Sequence, residues 1–388
     1  MATLGSDNLP QKSNFQNRTG LEALTGASNF DISEWMLINL IERVRSRQAT
    51  IAMLCKTAVA RKVLLHEWKA NPDFGQASLF LIDAQAEFGA AVDACLFVYD
   101  PGKPGAKTCG VYSDLSPLSQ SACLGYENDQ LIANVDFYRK WQHLQATAQD
   151  GHHFVWRSGI KHDCAKVMEF SRSGDAYHNN LGMRVDIEEA LVYPMMKSSD
   201  LANGLPPSRF MLVTQTSTGH ETKSIKRIAP KTWAYLVAHH HYFERRKSAI
   251  YRNRPQFSIF GVGDYSFSTW KVAISGLYKR LAFVAVGPHE DKPVVFDDTC
   301  YFLACQNEEE ARLIAALLNS DPATEFFSAF IFWDAKRPIT AKILKKLNIL
   351  ALAKAVLEDE IVVGNEYPTA TSRTEQLSLL EERAVYGV

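Results

Sequence analysis

The chain has 388 residues, of which 46% are apolar, 22% charged and 11% aromatic; this excludes a short peptide module and a disordered tract and allows two or three packed units. Its 42 Lys and Arg against 43 Asp and Glu give a net charge of −1, so any attraction to a polyanion has to come from local clustering. The N-terminus MATLGSDNLPQKSNFQ lacks a basic segment followed by an apolar stretch, and no run reaches the ~18 apolar residues of a membrane span, so a cytoplasmic protein without a membrane partner is expected.

Trp35, Met36, Leu37, Ile38, Leu40, Ile41 and Val44 surround nearly the whole circumference of a helix predicted over 33–46, which implies burial on more than one side. ATIAML (49–54) reads as a short buried strand, and Thr57 as the cap of a helix with Val59, Val63, Leu64 and Trp68 at helical spacing. SLFLID (78–83) and ACLFVYD (94–100) read as two more strands. This alternation is α/β, but three strands leave one long sheet edge without a partner. Either the downstream chain covers that edge, or the covering strands lie upstream or on another polypeptide. From 100 to about 150 the chain is rich in Gly, Pro and Ser (PGKPGAKTCG, SDLSPLSQSAC), with a helix predicted only at 135–145, and 106–150 is expected to be a linker.

The second half mixes short strands at 209–215, 270–275, 282–286 and 299–305 with helices, an α+β pattern. A helix predicted over 230–247 starts on Pro230 and aligns Trp233, Leu236, Val237, His240 and Phe243. Between Lys223 and Arg254 there are nine Lys and Arg (223, 226, 227, 231, 245, 246, 247, 252, 254) against the single acid Glu244, a local charge of +8 interleaved with Tyr235, Tyr242, Phe243 and Tyr251. Such clustering suits a phosphate backbone, and aromatics can stack on bases; a solvated helix face with core aromatics is the structural alternative. Asn307 with Glu310, and Asp321 with Pro322, start two further helices whose Leu313, Leu317, Leu318, Phe326, Phe327, Phe330 and Trp333 read as core. The acidic tail, 358–388, reads as a loosely docked end.

Seven scattered cysteines lack zinc or redox spacing, and the consecutive His239, His240 and His241 cannot all face one metal from a helix. FGVG (260–263) lacks the third glycine of a nucleotide loop, and no nucleophile elbow, Walker loop or H-E-x-x-H motif is present. No metal ligand and no catalytic residue is therefore assigned. Taken alone, these residues point to DNA or RNA binding and to no chemistry.

Longer strings carry a resemblance. LGSDNLPQKSNFQ with SNFDISEWMLINLIE, ATIAMLCKTAVARKVL and LFLIDAQAEFGAAVDACLFVYD, then WRSGIKHDCAKVMEF, VYPMMKSSDL, RNRPQFSIFGVGDYSFSTWKVAISGLYK, KPVVFDDTCYFLAC and FIFWDAKRPIT resemble the C-terminal half of adenine-specific N6 DNA methyltransferases of the combined restriction-modification type. The likeness runs from residue 4 to about 350. It implies an incomplete Rossmann-like methyltransferase sheet, represented by its C-terminal strands, over 1–105, and a target-recognition domain over 151–357. It also implies a flipped adenine held by an Asn-Pro-Pro-aromatic motif, with methyl transfer driven mainly by positioning. That motif is absent; Asn71-Pro72-Asp73 is the nearest string, in a loop after the wrong helix.

The resemblance thus implies the recognition portion of a DNA adenine methyltransferase. S-adenosylmethionine would bind only with a separate or lost N-terminal half, and this chain alone would bind none. Phe30 and Asp31 would then lie beside the cofactor pocket. Expected partners are double-stranded DNA and a second polypeptide carrying the catalytic half. Lys197, Ser198, Ser199, Arg245, Arg246, Lys247, Tyr251, Arg252 and Arg254 are the leading candidates for DNA contacts, followed by Lys161, His162, Lys271, Ser275, Lys279, Lys336 and Arg337. Asp297 and Asp298 fit either a cytosine amino group or a salt bridge to Arg337. A non-catalytic DNA-binding module, a truncated-gene remnant and a structural domain remain as alternatives.

Overall fold

The computed structural model describes residues 31–47, 49–147 and 154–363. They fall into two compact units: the chain up to Lys140 with Ser328–Ala335, and Trp141–Phe327 with the chain from Lys336. No helix among the described residues is long and apolar enough to cross a membrane.

In the first unit, α1 (Ile32–Val44) leads into β1 (Ile51–Lys56), α2 (Thr57–Ala70), β2 (Gln76–Ile82), the short α3 (Ala84–Phe88) and β3 (Ala94–Asp100). β4 (Thr108–Tyr112), β5 (Gln120–Glu127), β6 (Gln130–Ile132) and α4 (Val135–Trp141) follow. The sheet order is β1-β3-β2-β4-β5-β6. β3 lies antiparallel between β1 and β2, and β4 joins β2 in parallel. The stretch 106–150 is therefore not simply a linker: its Gly- and Pro-rich pieces are turns between strands that extend the first sheet. β1 sits at the sheet edge, with one partner strand among the described residues.

Alternation decides which face is buried. Ile51, Cys55, Leu79, Phe97 and Tyr99 point toward α1 and α2, where they meet Leu37, Ile41, Val63, Leu64 and Trp68. Residues of the opposite parity, among them Leu54, Phe80, Leu96, Val98 and Tyr112, are exposed or half-buried, with Phe80 stacked on Tyr112 at 4.7 Å. Among the described residues helix α1 is covered on its Leu37, Ile38 and Ile41 side, while Trp35, Met36 and Leu40 are about 40% exposed, against the expectation of burial on more than one side. Thr57 is the first helical residue, not the cap; its hydroxyl donates to Asp334 Oδ2 (2.6 Å), which also binds the Arg61 guanidinium. Asn71 accepts from Arg45 (2.7 Å) and donates to Glu67, so it serves the end of α2.

The second unit contains two sheets. One runs β10 (Arg184–Val185), β9 (Ala176–Asn179), β8 (Glu169–Ser173), β12 (Arg209–Leu212), β11 (Val192–Met196), β15 (Val295–Phe296); the other runs β14 (Val284–Val286), β13 (Trp270–Ser275), β16 (Cys300–Cys305), β7 (Arg157–Ser158). Met196, Phe296, Ala273, Cys300 and Phe302 pack where β11 and β15 meet β13 and β16. The helices are α5 (Ala165–Met168), α6 (Ser198–Asn203), α7 (Ile225–Ile228), α8 (Pro230–Ala238), α9 (His240–Glu244), α10 (Glu308–Leu318), α11 (Asp321–Ser328), α12 (Ala341–Leu344) and α13 (Ile349–Val363). The helix expected over 230–247 breaks at His239, in a run of three poor helix formers. Asn307 caps α10 as expected, accepting from Glu310 N–H at 2.9 Å. The acidic tail beyond residue 363 lies outside the described residues.

Gly159 lets two segments of this unit touch. A Cβ there would overlap the carbonyl oxygens of Phe296 and Asp297, and Ile160 N–H donates to Phe296 O at 2.7 Å. Because those atoms are backbone, they cannot rotate away. Gly159→Ala is expected to destabilise the protein by about 1–3 kcal/mol through overpacking; an unshifted melting temperature would show that the contact can open freely.

Candidate nucleic-acid interface

The interface candidates gather around the loop 252–262, whose fixed point is Phe257. This residue adopts φ 61°, a left-handed conformation costly for a bulky side chain, yet its ring is fully buried between Trp233 (5.5 Å) and Phe243 (5.0 Å). The loop 214–222 is bonded along it: Thr214 Oγ1 donates to Phe257 O (2.8 Å), Ile259 N–H to Gln215 Oε1 (2.8 Å) and Thr218 N–H to Val262 O (3.1 Å). Phe260 exchanges two backbone hydrogen bonds with Lys161 (2.8 and 2.9 Å) and leaves its own ring 40% exposed.

With the aromatic face of α8 and α9 turned inward, the cations turn outward. Lys223, Lys226, Arg227, Arg245, Lys247, Arg252 and Arg254 are exposed, and none makes an ion pair among the described residues; Lys231 is held by Asp186 at 2.9 Å. Arg246 differs from its neighbours. It donates to Ser258 O (2.6 Å) and His162 O (3.3 Å) and lies over the Tyr251 ring at 3.7 Å. Burial lowers its pKa, and its role is to fasten the loop. Tyr251 is half-buried, its hydroxyl without a hydrogen-bond partner among the described residues, and burial followed by the Asp163 charge raises its pKa.

Beside this stack lies a box of four charges. Lys161 Nζ is 2.6 Å from Asp163 and 3.6 Å from Asp298, and Arg337 Nη2 is 3.5 Å from Asp298. Burial works against the Lys161 ammonium, but the Asp163 hydrogen bond and the Asp298 charge outweigh it and raise the pKa. Asp297 takes no part. Its Oδ1 accepts from Thr299 N–H (3.1 Å), the Thr299 hydroxyl and the Cys300 thiol, which closes the turn.

Several expected contacts are structural instead. His162 is buried, with Nδ1 accepting from Cys164 N–H (3.1 Å) and Nε2 3.3 Å from Glu169. Lys197 also pairs with Glu169 (2.6 Å); burial opposes that carboxylate, but its bonds to His162 and Lys197 lower the pKa. Ser198 is buried and donates to Thr299 O (2.7 Å), and Ser199 is half-buried on Asp200. Ser275 is buried, its hydroxyl accepting from Leu277 and Tyr278 N–H. These polar residues sit at strand and helix ends whose backbone they satisfy, which composition cannot show. Lys279 and Lys336 are exposed. Asp163, not among the expected contacts, joins through Lys161, two residues before it in the chain.

In the first unit, Phe30 lies outside the described residues. Asp31 is committed: one oxygen accepts from Ser33 N–H (3.2 Å) and hydroxyl (2.6 Å), the other pairs with Lys56 at 3.1 Å.

The chain is 44% identical over 360 residues to the type II methyltransferase M.NspV of Nostoc sp. (strain ATCC 29411 / PCC 7524), covering 92% of this chain and 74% of that protein. The type IIL restriction-modification enzyme MmeI, solved in complex with DNA, matches over 94% of this chain with a TM-score of 0.51 and 13% identity, a likeness of fold. The chain spans half the length of that enzyme. The type IIG restriction endonuclease BpuSI aligns at a TM-score of 0.34 and 14% identity, over 89% of this chain and 48% of its own. No protein-family model matches.

Lys271 yields a test independent of ligand. It is fully buried on β13, donating to Ser268 O and to Val294 O (2.9 Å), and burial depresses its pKa to about 7. The unfolded chain holds this proton up to the ordinary lysine range, so folding releases it and stability rises as pH increases above about 7. Urea midpoints of the wild type are expected to rise from about pH 7 to about pH 9, and Lys271→Met to flatten that rise; parallel profiles would contradict the assignment.

Proposed function

The chain belongs to the type II methyltransferase family, and from that premise we propose that it is the recognition portion of a site-specific DNA methyltransferase acting on adenine N6 within a restriction-modification system. The observation that carries the DNA reading is the set of seven exposed, unpaired Lys and Arg between Lys223 and Arg254, in a chain whose net charge is −1. Their field is local and aimed outward, as phosphate contacts require. Arg245, Lys247, Arg252 and Arg254 are the phosphate contacts, and Phe260 with Tyr251 offers aromatic surface beside them. Adenine is the target because the quoted strings resemble adenine-specific enzymes.

Methyl transfer needs a part these residues do not supply. The 388 residues contain no Asn-Pro-Pro-aromatic motif; at Asp31 the Oδ2 atom meets only the half-exposed Lys56 ammonium and keeps acceptor capacity. S-adenosylmethionine, when bound, would supply the methyl group. The edge of β1 and the adjoining exposed or half-buried face of Leu54, Phe80, Leu96, Val98 and Tyr112 form the surface on which the cofactor-binding, catalytic portion packs. An unpaired strand edge beside apolar surface is otherwise an aggregation hazard. The missing motif also favours a second reading, a DNA-binding module without catalysis.

Labelled S-adenosylmethionine and mixed-sequence DNA test both readings, using the chain alone and with a polypeptide carrying the Asn-Pro-Pro-aromatic motif. Transfer only with the second polypeptide supports the proposal; salt-dependent binding without transfer supports the module. Arg245→Ala, Lys247→Ala and Arg252→Ala together are expected to reduce the slope of log affinity against log salt by up to about 2.7, three contacts' worth. A slope equal to that of the wild type would remove this segment from the interface.

A further inference from the structure

We infer that Asp298 and Arg337 read one C·G base pair in the major groove, Asp298 accepting from the cytosine N4 amino group and Arg337 donating to guanine O6 and N7. This rests on the DNA-recognition reading above and goes beyond it by naming which residues carry sequence information. The first support is the contrast between a fixed backbone and an uncommitted side chain. Asp298 sits between Asp297, whose carboxylate closes the turn, and Thr299, whose hydroxyl and N–H are both used in that closure. Asp297 N–H donates to Met196 O (3.2 Å), Cys300 N–H to Asp297 O (3.1 Å), and Gly159 lies against the Asp297 carbonyl with no room for a Cβ. The Asp298 carboxylate, by contrast, is about one-third exposed, and its ion pairs to Arg337 and Lys161 are long, 3.5 and 3.6 Å. A reader needs this combination: a rigid platform and a side chain free to change partner.

The second support comes from the other ion pairs of the same unit. Arg209–Asp200 and Lys197–Glu169 close at 2.7 and 2.6 Å on buried carboxylates and hold helix and strand ends in place. The Asp298 pairs are long and wet, a geometry that contributes little to stability. They do keep both charges neutralised in the free protein. On a C·G pair, the carboxylate exchanges Arg337 for an amino donor and the guanidinium exchanges Asp298 for a two-acceptor edge, so neither charge is left unpaired. Lys161 is drawn to Asp163 at 2.6 Å, whereas the 41% exposed Arg337 meets Asp298 only through a 3.2 Å hydrogen bond to its carbonyl oxygen and the 3.5 Å ion pair, both of which a base edge would replace. The Tyr251 ring, stacked under Arg246 with its hydroxyl facing the Asp163 charge, joins this spot to the cationic segment.

Sequence selection from a randomised duplex pool tests the inference with the full chain. The wild type is expected to enrich a motif containing a C·G pair, with roughly tenfold or greater loss on substituting that pair. Asp298→Ala and Arg337→Ala should lose the preference at that pair while keeping it at the motif's other positions. Asp298→Asn, which preserves shape, and Arg337→Lys, which keeps charge but not the two-pronged donor, should weaken it at the same pair and guard against misfolding of the alanine variants. Enrichment of the wild-type motif by folded Asp298→Asn and Arg337→Lys, with an undiminished penalty at every C·G pair, overturns the assignment. Binding by the wild type without sequence preference also overturns it and leaves the DNA reading standing. Failure of the wild type to bind any duplex overturns the DNA reading itself.

Discussion

The buried ring of Phe257 is the contact on which the charged side of the second unit depends. A phenylalanine at φ 61° holds a conformation that costs of order 1–3 kcal/mol, and full burial of its ring offsets a similar amount. The strained residue therefore persists only because Trp233 and Phe243 hold the ring from α8 and α9. One anchor sets three things together: the rotation of α9, the path of the loop 252–262, and the loop 214–222 hydrogen-bonded along it. With Phe243 drawn inward, Arg245 and Lys247 project outward and Arg246 turns back to cap Ser258 O and His162 O. The cationic surface is thus a consequence of how the aromatic residues pack.

The same packing separates charges that hold the fold from charges that are available. Glu169 gathers His162 and Lys197 in a buried site, Asp200 holds Arg209, and Lys271 spends its ammonium on two carbonyl oxygens. Removing such a group leaves an unsatisfied partner in low dielectric, so each is fixed by stability. Lys161, Asp163, Asp298 and Arg337 lie where water still reaches. Residue type alone does not distinguish a lysine of the first kind from one of the second; burial does.

Much of the architecture is readable from local pattern. The strands at 94–100 and 270–275, the cap at Asn307 and the basic stretch 223–254 appear where periodicity, capping chemistry and charge count place them. The strands β4 to β6 do not, because Gly- and Pro-rich turns dominate their composition and only the pairing of β4 with β2 attaches them to the sheet, β5 and β6 following in turn. The break at His239 is likewise hidden in a continuous apolar periodicity. For the interface, clustering marks the cations, but the fates of His162, Lys197, Ser198, Lys271 and Ser275 are set by partners distant in sequence. Asp298 meets Lys161 by the same long-range logic, while Asp163 reaches it from two residues away.

Position and readout make opposite demands, and the second unit assigns them to different kinds of surface. Phosphate contacts tolerate long, mobile cations, since charge alone fixes register, and the exposed arginines and lysine of 245–254 have that freedom. A base edge is recognised over one hydrogen bond's length, so its reader must stand on backbone that does not move. Asp298 has that backbone through Gly159, Asp297 and Thr299, and the arginines do not. If sequence were read from the flexible segment, tight packing at Gly159 would have no bearing on specificity. If it is read from the turn, loosening that packing should blur the motif before it weakens general attraction to DNA, because the phosphate contacts do not pass through it.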